Sequence, residues 1–204
     1  DVALQTGIEY AHHKGVAVGY WGSTLDYDPS DDSETKDHGF EHNFYLAYAQ
    51  KINQNWHYKV QTTAYYYQDG GTVYADNGDA RKTTALDVLG ELAYKDLTLG
   101  AVVMLTDVSF ANAGDVYLNA RYRYALAQNF MLNSSVGASI YNSSRDDSMI
   151  STQNKIAFNE ARIGVSKEIP NTAVTASLDY MVGGKDRFDT NFDDQVVLGL
   201  NFNF

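Results

Sequence analysis

D-Q-V-V-L-G-L-N-F-N-F, residues 194–204, is the stretch of the sequence that decides the fold. Alternate residues are apolar and fall on one face of an extended chain: Val196, Leu198, Leu200, Phe202 and Phe204. The other face carries Val197, Gly199, Asn201 and Asn203. This period of two, with one side continuously apolar, predicts a β-strand whose apolar side meets lipid in a bacterial outer-membrane barrel. The alternative is a strand of a soluble domain.

The composition fits one β-barrel domain over residues 1–204 and excludes several other classes of protein. No apolar run approaches the roughly 18 residues that a spanning helix needs, so a helical membrane protein is excluded. The 16 Tyr suit girdles at both lipid interfaces, and the 2 Pro suit long unbroken strands. With 0 Cys there are no disulfides or thiolate metal ligands, and a net charge of −11 argues against nucleic acid. We expect no cofactor and no metal ion.

Period-two segments recur along the whole chain, with almost no helical pattern between them. Eleven such segments are predicted as strands: residues 3–11, 16–24, 39–52, 56–68, 82–94, 97–108, 115–127, 130–142, 154–169, 172–183 and 194–204. In the ninth segment, the alternation places Ala157 on the apolar face and Phe158 on the polar face.

Short turns between strands alternate with long loops. The long loops span residues 25–38, 69–81, 109–114, 143–153 and 184–193. In outer-membrane barrels the short turns face the periplasm and the long loops face outside. The sequence therefore predicts an all-β, antiparallel up-and-down transmembrane barrel with Phe204 at the periplasmic rim.

The odd strand count conflicts with that architecture, because single-chain bacterial barrels have an even number of strands. The first segment runs into a short turn, so Asp1 would lie on the outer side. We expect one further strand before Asp1, which makes the barrel twelve-stranded. Closure with eleven strands, or one misread strand, is the rival interpretation.

The first hairpin carries a family resemblance. Residues 4–27 read L-Q-T-G-I-E-Y-A-H-H-K-G-V-A-V-G-Y-W-G-S-T-L-D-Y. Their Gly-Ile-Glu-Tyr strand (Gly7 to Tyr10) and their G-x-x-x-G-x-W-x-S strand (Gly15 to Ser23) resemble the TorF-type porin family, the gcw_chp domain outer-membrane proteins. The resemblance covers about the first 25 residues. It implies an outer-membrane channel, and it also implies an earlier strand that is absent here.

Alternation places the charged residues of the strands on the face opposite to lipid, because an Arg or Lys in lipid costs about 2–4 kcal/mol. These candidate pore-lining residues are Glu9, Glu41, Lys59, Asp87, Glu91, Arg121, Arg123, Glu160, Arg162 and Asp179. Acids dominate the early strands and arginines the later ones, which predicts two walls of opposite sign across a narrow lumen. The alternative is that these residues pair, as Arg162 would with Asp179, and fill the interior.

Enzymatic activity is not expected, because the sequence has no G-x-S-x-G, H-E-x-x-H or Walker motif. His42 falls on the apolar face and His57 on the polar face, and neither has an obvious serine partner. His12 and His13 lie in a turn and are expected to be solvated. The acidic stretch from Asp26 to Asp37 lacks the Gly and Glu spacing of an EF-hand. We expect it either to repel anions or to bridge to lipopolysaccharide through divalent cations.

Two functions remain open from the sequence. The first is a passive outer-membrane channel for small hydrophilic solutes, with membrane lipid and lipopolysaccharide as its surroundings. The second is a closed barrel that serves as a scaffold, an adhesin or a subunit of an envelope assembly, with another envelope protein as its partner.

Overall fold

The computed structural model of this all-β protein describes residues 4–25, 39–74, 79–143 and 150–202. Phe204 and the acids at residues 26–37 lie outside the described residues. The described strands are β1 Gln5–Ala11, β2 Val16–Leu25, β3 Gly39–Lys51, β4 Trp56–Tyr67, β5 Thr72–Tyr74, β6 Ala80–Lys82, β7 Ala85–Tyr94, β8 Leu97–Met104, β9 Val116–Ala125, β10 Phe130–Ile140, β11 Ile156–Glu168, β12 Val174–Gly183 and β13 Gln195–Phe202. One 3-10 turn, η1 Ala127–Asn129, is the only helix among these residues, and nothing in them forms a helix that could cross a bilayer.

Eleven of the strands form one antiparallel sheet in the order β1-β2-β3-β4-β7-β8-β9-β10-β11-β12-β13. Each strand pairs with the next main-sheet strand along the chain, as expected from the alternating segments. The additional strands β5 and β6 form a separate hairpin within the second long loop. This hairpin was not predicted, because strands of three residues are too short to show a period of two.

Several of the tight turns between strands contain residues with a positive φ, a backbone conformation that most residues avoid. Lys95, in the turn from β7 to β8, has a φ of 52°, and Asn171, between β11 and β12, has a φ of 61°. In the turn from β9 to β10, Gln128 and Asn129 have φ values of 58° and 61°. Two consecutive residues with positive φ are typical of the tight hairpin turns that match the twist of the flanking strands. These turns fix the register of each strand pair.

A β-bulge in β11 corrects one prediction. Gly137 of β10 pairs with Glu160, but the next residue, Ala138, pairs with Phe158, so Asn159 is an extra residue. The extra residue reverses the alternation before it. Ala157 is therefore buried on the polar face and Phe158 is exposed on the apolar face, opposite to the placement expected from a regular strand.

The two faces of the sheet differ in which side chains are exposed and which are buried. Large apolar side chains are exposed on one face, which we call the apolar face: Ile8, Phe44, Leu46, Val60, Leu92, Leu99, Leu118, Val136, Ile163, Leu178, Leu198 and Leu200. Side chains that are buried on the opposite face, the polar face, are largely polar: Ser23, Asn43, Thr63, Asp87 and Ser139. A soluble β-protein normally has the reverse arrangement. The exposed fraction reaches 79% for Leu198.

Candidate functional site

Strand register places all ten charged residues that were singled out from the sequence on the polar face. Side chains of directly paired residues project to the same side of a sheet. In each of the following rows, every residue pairs directly with the next one, which lies on the neighbouring strand. The first row is Glu9, Gly19, Tyr45, Thr63 and Asp87. The second row is Lys59, Glu91, Gly100, Asn119, Gly137 and Glu160. A third joins Arg121, Ser135 and Arg162, and a fourth joins Arg123, Asn133, Gly164 and Asp179. Glu41 lies two residues before Asn43, which occupies the same face.

The carboxylates on the polar face of the early strands are held by neutral donors. The Tyr45 hydroxyl donates to Glu9 Oε2 at 2.8 Å. The Tyr65 hydroxyl donates to Asp87 Oδ2 at 2.6 Å, and Asn43 Nδ2 donates to Glu41 Oε1 at 2.7 Å. These bonds orient the carboxylates, and none of the three forms an ion pair with a cation among the described residues.

Glycines allow two of the tyrosine–carboxylate contacts to span a strand. The Tyr45 ring crosses Gly19, where any Cβ would collide with it, and so reaches Glu9 on the far strand. The Tyr117 hydroxyl donates to Glu160 directly above Gly137 in the same way. A side chain at either glycine would push the ring off the sheet. The polar face is therefore shaped by residues without side chains as well as by its charges.

The positive residues are only partly compensated. Arg121 forms an ion pair with Glu91, although the sequence analysis placed these residues on opposing walls. Only β8 separates β7 from β9, and Gly100, opposite Glu91, has no side chain to block the approach. Within the described residues, Arg123 and Arg162 have no carboxylate within 4.0 Å, so the pair of Arg162 with Asp179, the alternative interpretation of the sequence, is not observed. Arg162 contacts the sulfur of Met181 instead, at 3.9 Å.

A recess of about 400 Å³ lies at these arginines. Its lining includes Thr98, Arg121, Arg123, Asn133, Ser135, Arg162 and Asp179. Four of the ten predicted residues thus share one cavity, whereas Glu9, Glu41 and Asp87 belong to the separate group on the early strands.

A second cluster of polar residues joins the long loops, and we call it the loop cluster: Arg81, Asn112, Asp115, Asn142 and Arg187. The Arg187 guanidinium is 3% exposed and binds both carboxylate oxygens of Asp115, at 3.0 and 3.2 Å. It also lies over the Tyr141 ring, 4.8 Å from its centroid. Asp115 accepts two further bonds, from the backbone nitrogens of Asn112 at 2.8 Å and Asn142 at 2.7 Å.

Arg81 extends the loop cluster to the β5–β6 hairpin. Its Nη1 donates to Asn112 Oδ1 at 2.6 Å and to the carbonyl oxygens of Val108 and Ala111 at 3.2 and 3.4 Å. Val108 and Ala111 are buried against Ala85, with Tyr65 and Met104 beside them. Because Ala85, Tyr65 and Met104 project from the polar face, the loop from β8 to β9 folds over one end of that face.

The loop cluster was not predicted from the sequence. In loops rich in Gly and Asp, the sequence around a charged residue looks the same whether that residue is solvated or buried. No motif in the sequence indicates that Arg81 or Arg187 lies near Asp115. The only available signal was the presence of Arg187 between acids and aromatics, which does not identify a partner.

Two loop carboxyls have shifted acidity. Lys185, at 2.7 Å, and Asn154, at 2.6 Å, hold the pKa of Asp189 below its ordinary value by bonding the charged form. The Tyr180 hydroxyl and the Gly183 nitrogen lower the pKa of Asp194 in the same way. Both carboxyls therefore remain ionised at neutral pH.

The histidines show no catalytic arrangement in the described residues. His42 lies on the apolar face and its Nδ1 is 2.9 Å from the Tyr20 hydroxyl, between the rings of Phe40 and Tyr66. His12 and His13 contact each other through their rings in the first turn. Among the residues that the structure describes, no group of three or more His, Cys, Asp or Glu could hold a metal ion.

Comparison with known proteins identifies a family and no closer relative. The family model described as "Bacterial protein of unknown function (Gcw_chp)" matches residues 1–198. No curated protein and no solved structure matches the chain.

Proposed function

Since the chain belongs to the Gcw_chp family, a bacterial family of unknown function, we propose a function from its own geometry: an outer-membrane channel through which small hydrophilic solutes diffuse. In this proposal the sheet closes into a barrel in the bacterial outer membrane, the apolar face meets lipid, and the polar face surrounds water. It is a passive channel and not an enzyme.

The exposed apolar face is the observation that carries this proposal. It extends across the main sheet from Ile8 on β1 to Leu200 on β13. In water, so large an apolar surface would be covered by another layer of the protein or by a partner. In a membrane it needs no cover, and the polar side chains opposite are then those that line the interior.

Aromatic residues at both ends of the apolar face support a position in a membrane. Trp56 packs against Tyr94 near the short turns, with ring centroids 4.8 Å apart. Tyr66 lies near the long loops, in the group around His42. The ten steps from Trp56 to Tyr66 cover about 33 Å along β4, and a tilt of about 40° reduces this to roughly 25 Å along the membrane normal. That is the height of the apolar band in outer-membrane barrels.

Closure follows from the physics of the bilayer. A strand edge in hydrocarbon would leave its N–H and C=O groups without partners, at several kcal/mol each. β1 and β13 are the ends of the strand order. We propose that these two strands are joined, either directly or through one further strand, as in the twelve-stranded arrangement expected from the strand count.

The resemblance of the first hairpin to TorF-type porins supports a channel. Outer-membrane lipid and lipopolysaccharide are the proposed surroundings, with the acidic loop at residues 26–37 as the proposed contact with lipopolysaccharide. The solute is proposed to be small and hydrophilic, because the polar face carries charged groups of both signs.

A closed barrel that serves as a scaffold or adhesin is the second candidate, and the loop cluster favours it. Val108 and Ala111 cover one end of the polar face, and Arg81, Asp115 and Arg187 hold that loop in place. A lumen blocked by this loop would not conduct.

Single-channel recording in a planar bilayer separates the two candidates. We expect the purified, refolded protein to give discrete current steps, and Arg121→Ala with Arg123→Ala to shift ion preference toward cations by roughly twofold, because the lumen loses two positive charges. Protein that runs as folded on a heat-modifiability gel but gives a silent bilayer would contradict the channel and favour the scaffold.

A further inference from the structure

We propose that the recess between β9, β10 and β11 is a binding site for the carboxylate or phosphate group of a solute, with Arg121, Arg123 and Arg162 as its ligands. The inference rests on the proposed channel, because it assumes that the polar face lines the solute's path. It narrows the solute class from small and hydrophilic to small and anionic.

Strand register brings the three guanidinium groups to one place. Ser135 of β10 pairs directly with Arg121 on one side and with Arg162 on the other. Neighbouring strands are about 4.8 Å apart, so the two Cα atoms are separated by roughly 10 Å, with one small side chain between them. Arg123 follows Arg121 by two residues on the same face and pairs with Asn133. Long side chains around a small one form a recess that an oxyanion could enter.

The groups in the recess match the chemistry of an oxyanion. Each guanidinium presents five N–H donors in a planar fork, which suits two oxygens of a carboxylate or phosphate. All three arginines are exposed to the recess, and no ion pair occupies Arg123 or Arg162 in the described part of the chain. The Ser135 hydroxyl has no hydrogen-bond partner among the described residues, and it lies between the arginines as a further donor.

Two carboxylates limit the affinity of the site. Glu91 neutralises Arg121, and Asp179 also lines the recess, where its side chain lies over Gly164. The lining itself carries three guanidiniums and one carboxylate, that of Asp179, in a chain whose total charge is −11. A channel needs a site that is favourable enough to admit the solute and weak enough to release it. Asp179 supplies that repulsion.

The test uses the full refolded chain in detergent micelles. It is titrated with inorganic phosphate, and separately with acetate, and the heat of binding is measured by calorimetry. We expect saturable binding of at least one of the two anions. Arg162→Ala and Arg123→Ala should each weaken it about tenfold, because each removes charge-assisted hydrogen bonds. Asp179→Asn should strengthen binding several-fold by removing a like charge.

Lys167→Ala is the matched control. It also removes one positive charge from β11, but Lys167 lies against the Phe130 ring, away from the recess, so binding should not change. Equal weakening by Lys167→Ala and Arg162→Ala would mean nonspecific attraction and would overturn the site, as would the absence of saturable binding of either anion. All variants are checked for folding by heat-modifiable mobility.

This experiment separates the site from the channel. Binding in micelles does not require conduction, so a silent bilayer with intact phosphate or acetate binding would contradict the channel alone. A conducting protein that binds neither anion would contradict the site alone.

Discussion

Replacing Val60 by arginine is expected to destabilise the refolded protein by about 2–4 kcal/mol, the cost of an arginine on the lipid face near the midplane of an outer-membrane barrel. Val60 is 49% exposed on the apolar face and lies near the middle of β4, between Trp56 and Tyr66. Unfolding by guanidinium in lipid vesicles measures the effect. An exposed valine on a soluble protein would tolerate the same change within about 0.5 kcal/mol.

Gln61→Arg is the control for this prediction. Gln61 is the next residue and projects from the polar face, in register with Ala47 and Leu89. An arginine at this position would reach the interior water, so we expect a much smaller loss of stability. If the two variants had equal stability, or if Gln61→Arg were the more harmful, the apolar face would not be facing lipid.

Arg187→Ala is expected to have the second large effect, a loss of about 3–5 kcal/mol from the stability of the loop cluster. The change leaves the carboxylate of Asp115 without its cation, and breaking a buried ion pair by removing one partner costs this much. The effect should be local, because Arg187 belongs to the loops and not to the sheet. Hydrogen exchange at the amides of Asn112 and Asn142, which both bond Asp115, is the measurement: protection should fall sharply while strand amides keep theirs.

Lys185→Ala provides the matched comparison within the same loop. It also removes a cation that is paired with an aspartate, but Lys185 and Asp189 are each nearly half exposed, so the pair contributes little. Unchanged protection of Asn112 and Asn142 in Arg187→Ala, or equal losses in both variants, would show that the buried pair does not hold the loops together.

The strands of the main sheet could be predicted because the alternation of apolar and polar residues is strong and lies within each strand's own sequence. Each of the eleven predicted segments overlaps one strand of the main sheet, and only β2 extends past its segment, by one residue at Leu25. Two of the predicted short turns contain Lys95 and Asn171, which have positive φ. The bulge at Asn159 could not be predicted, since an extra residue is visible only against the partner strand β10. The hairpin β5–β6 is likewise held by contacts that are distant in sequence, among them those of Arg81.

The sequence was enough to predict which face of the sheet carries the candidate site. It was not enough to predict which side chains contact one another. Alternation alone places Arg121, Arg162 and Glu91 on one side of the sheet. Which of them meet depends on the register between strands and on the space that Gly100 leaves opposite Glu91. Arg162 and Asp179 lie on neighbouring strands, but Arg162 is directly opposite Met181 and contacts the sulfur of that residue.

Water access at two adjacent positions on β10 tests whether the polar face meets water and the apolar face meets lipid. Because the sequence has 0 Cys, single cysteines can be introduced without background labelling. The variants are Ser135→Cys on the polar face and Val136→Cys on the apolar face, reconstituted in lipid vesicles and treated with a charged, water-soluble maleimide. We expect rapid labelling at residue 135 and strong protection at residue 136. Labelling at residue 136 with protection at residue 135, or equal labelling of both, would contradict a polar, water-filled interior surrounded by lipid.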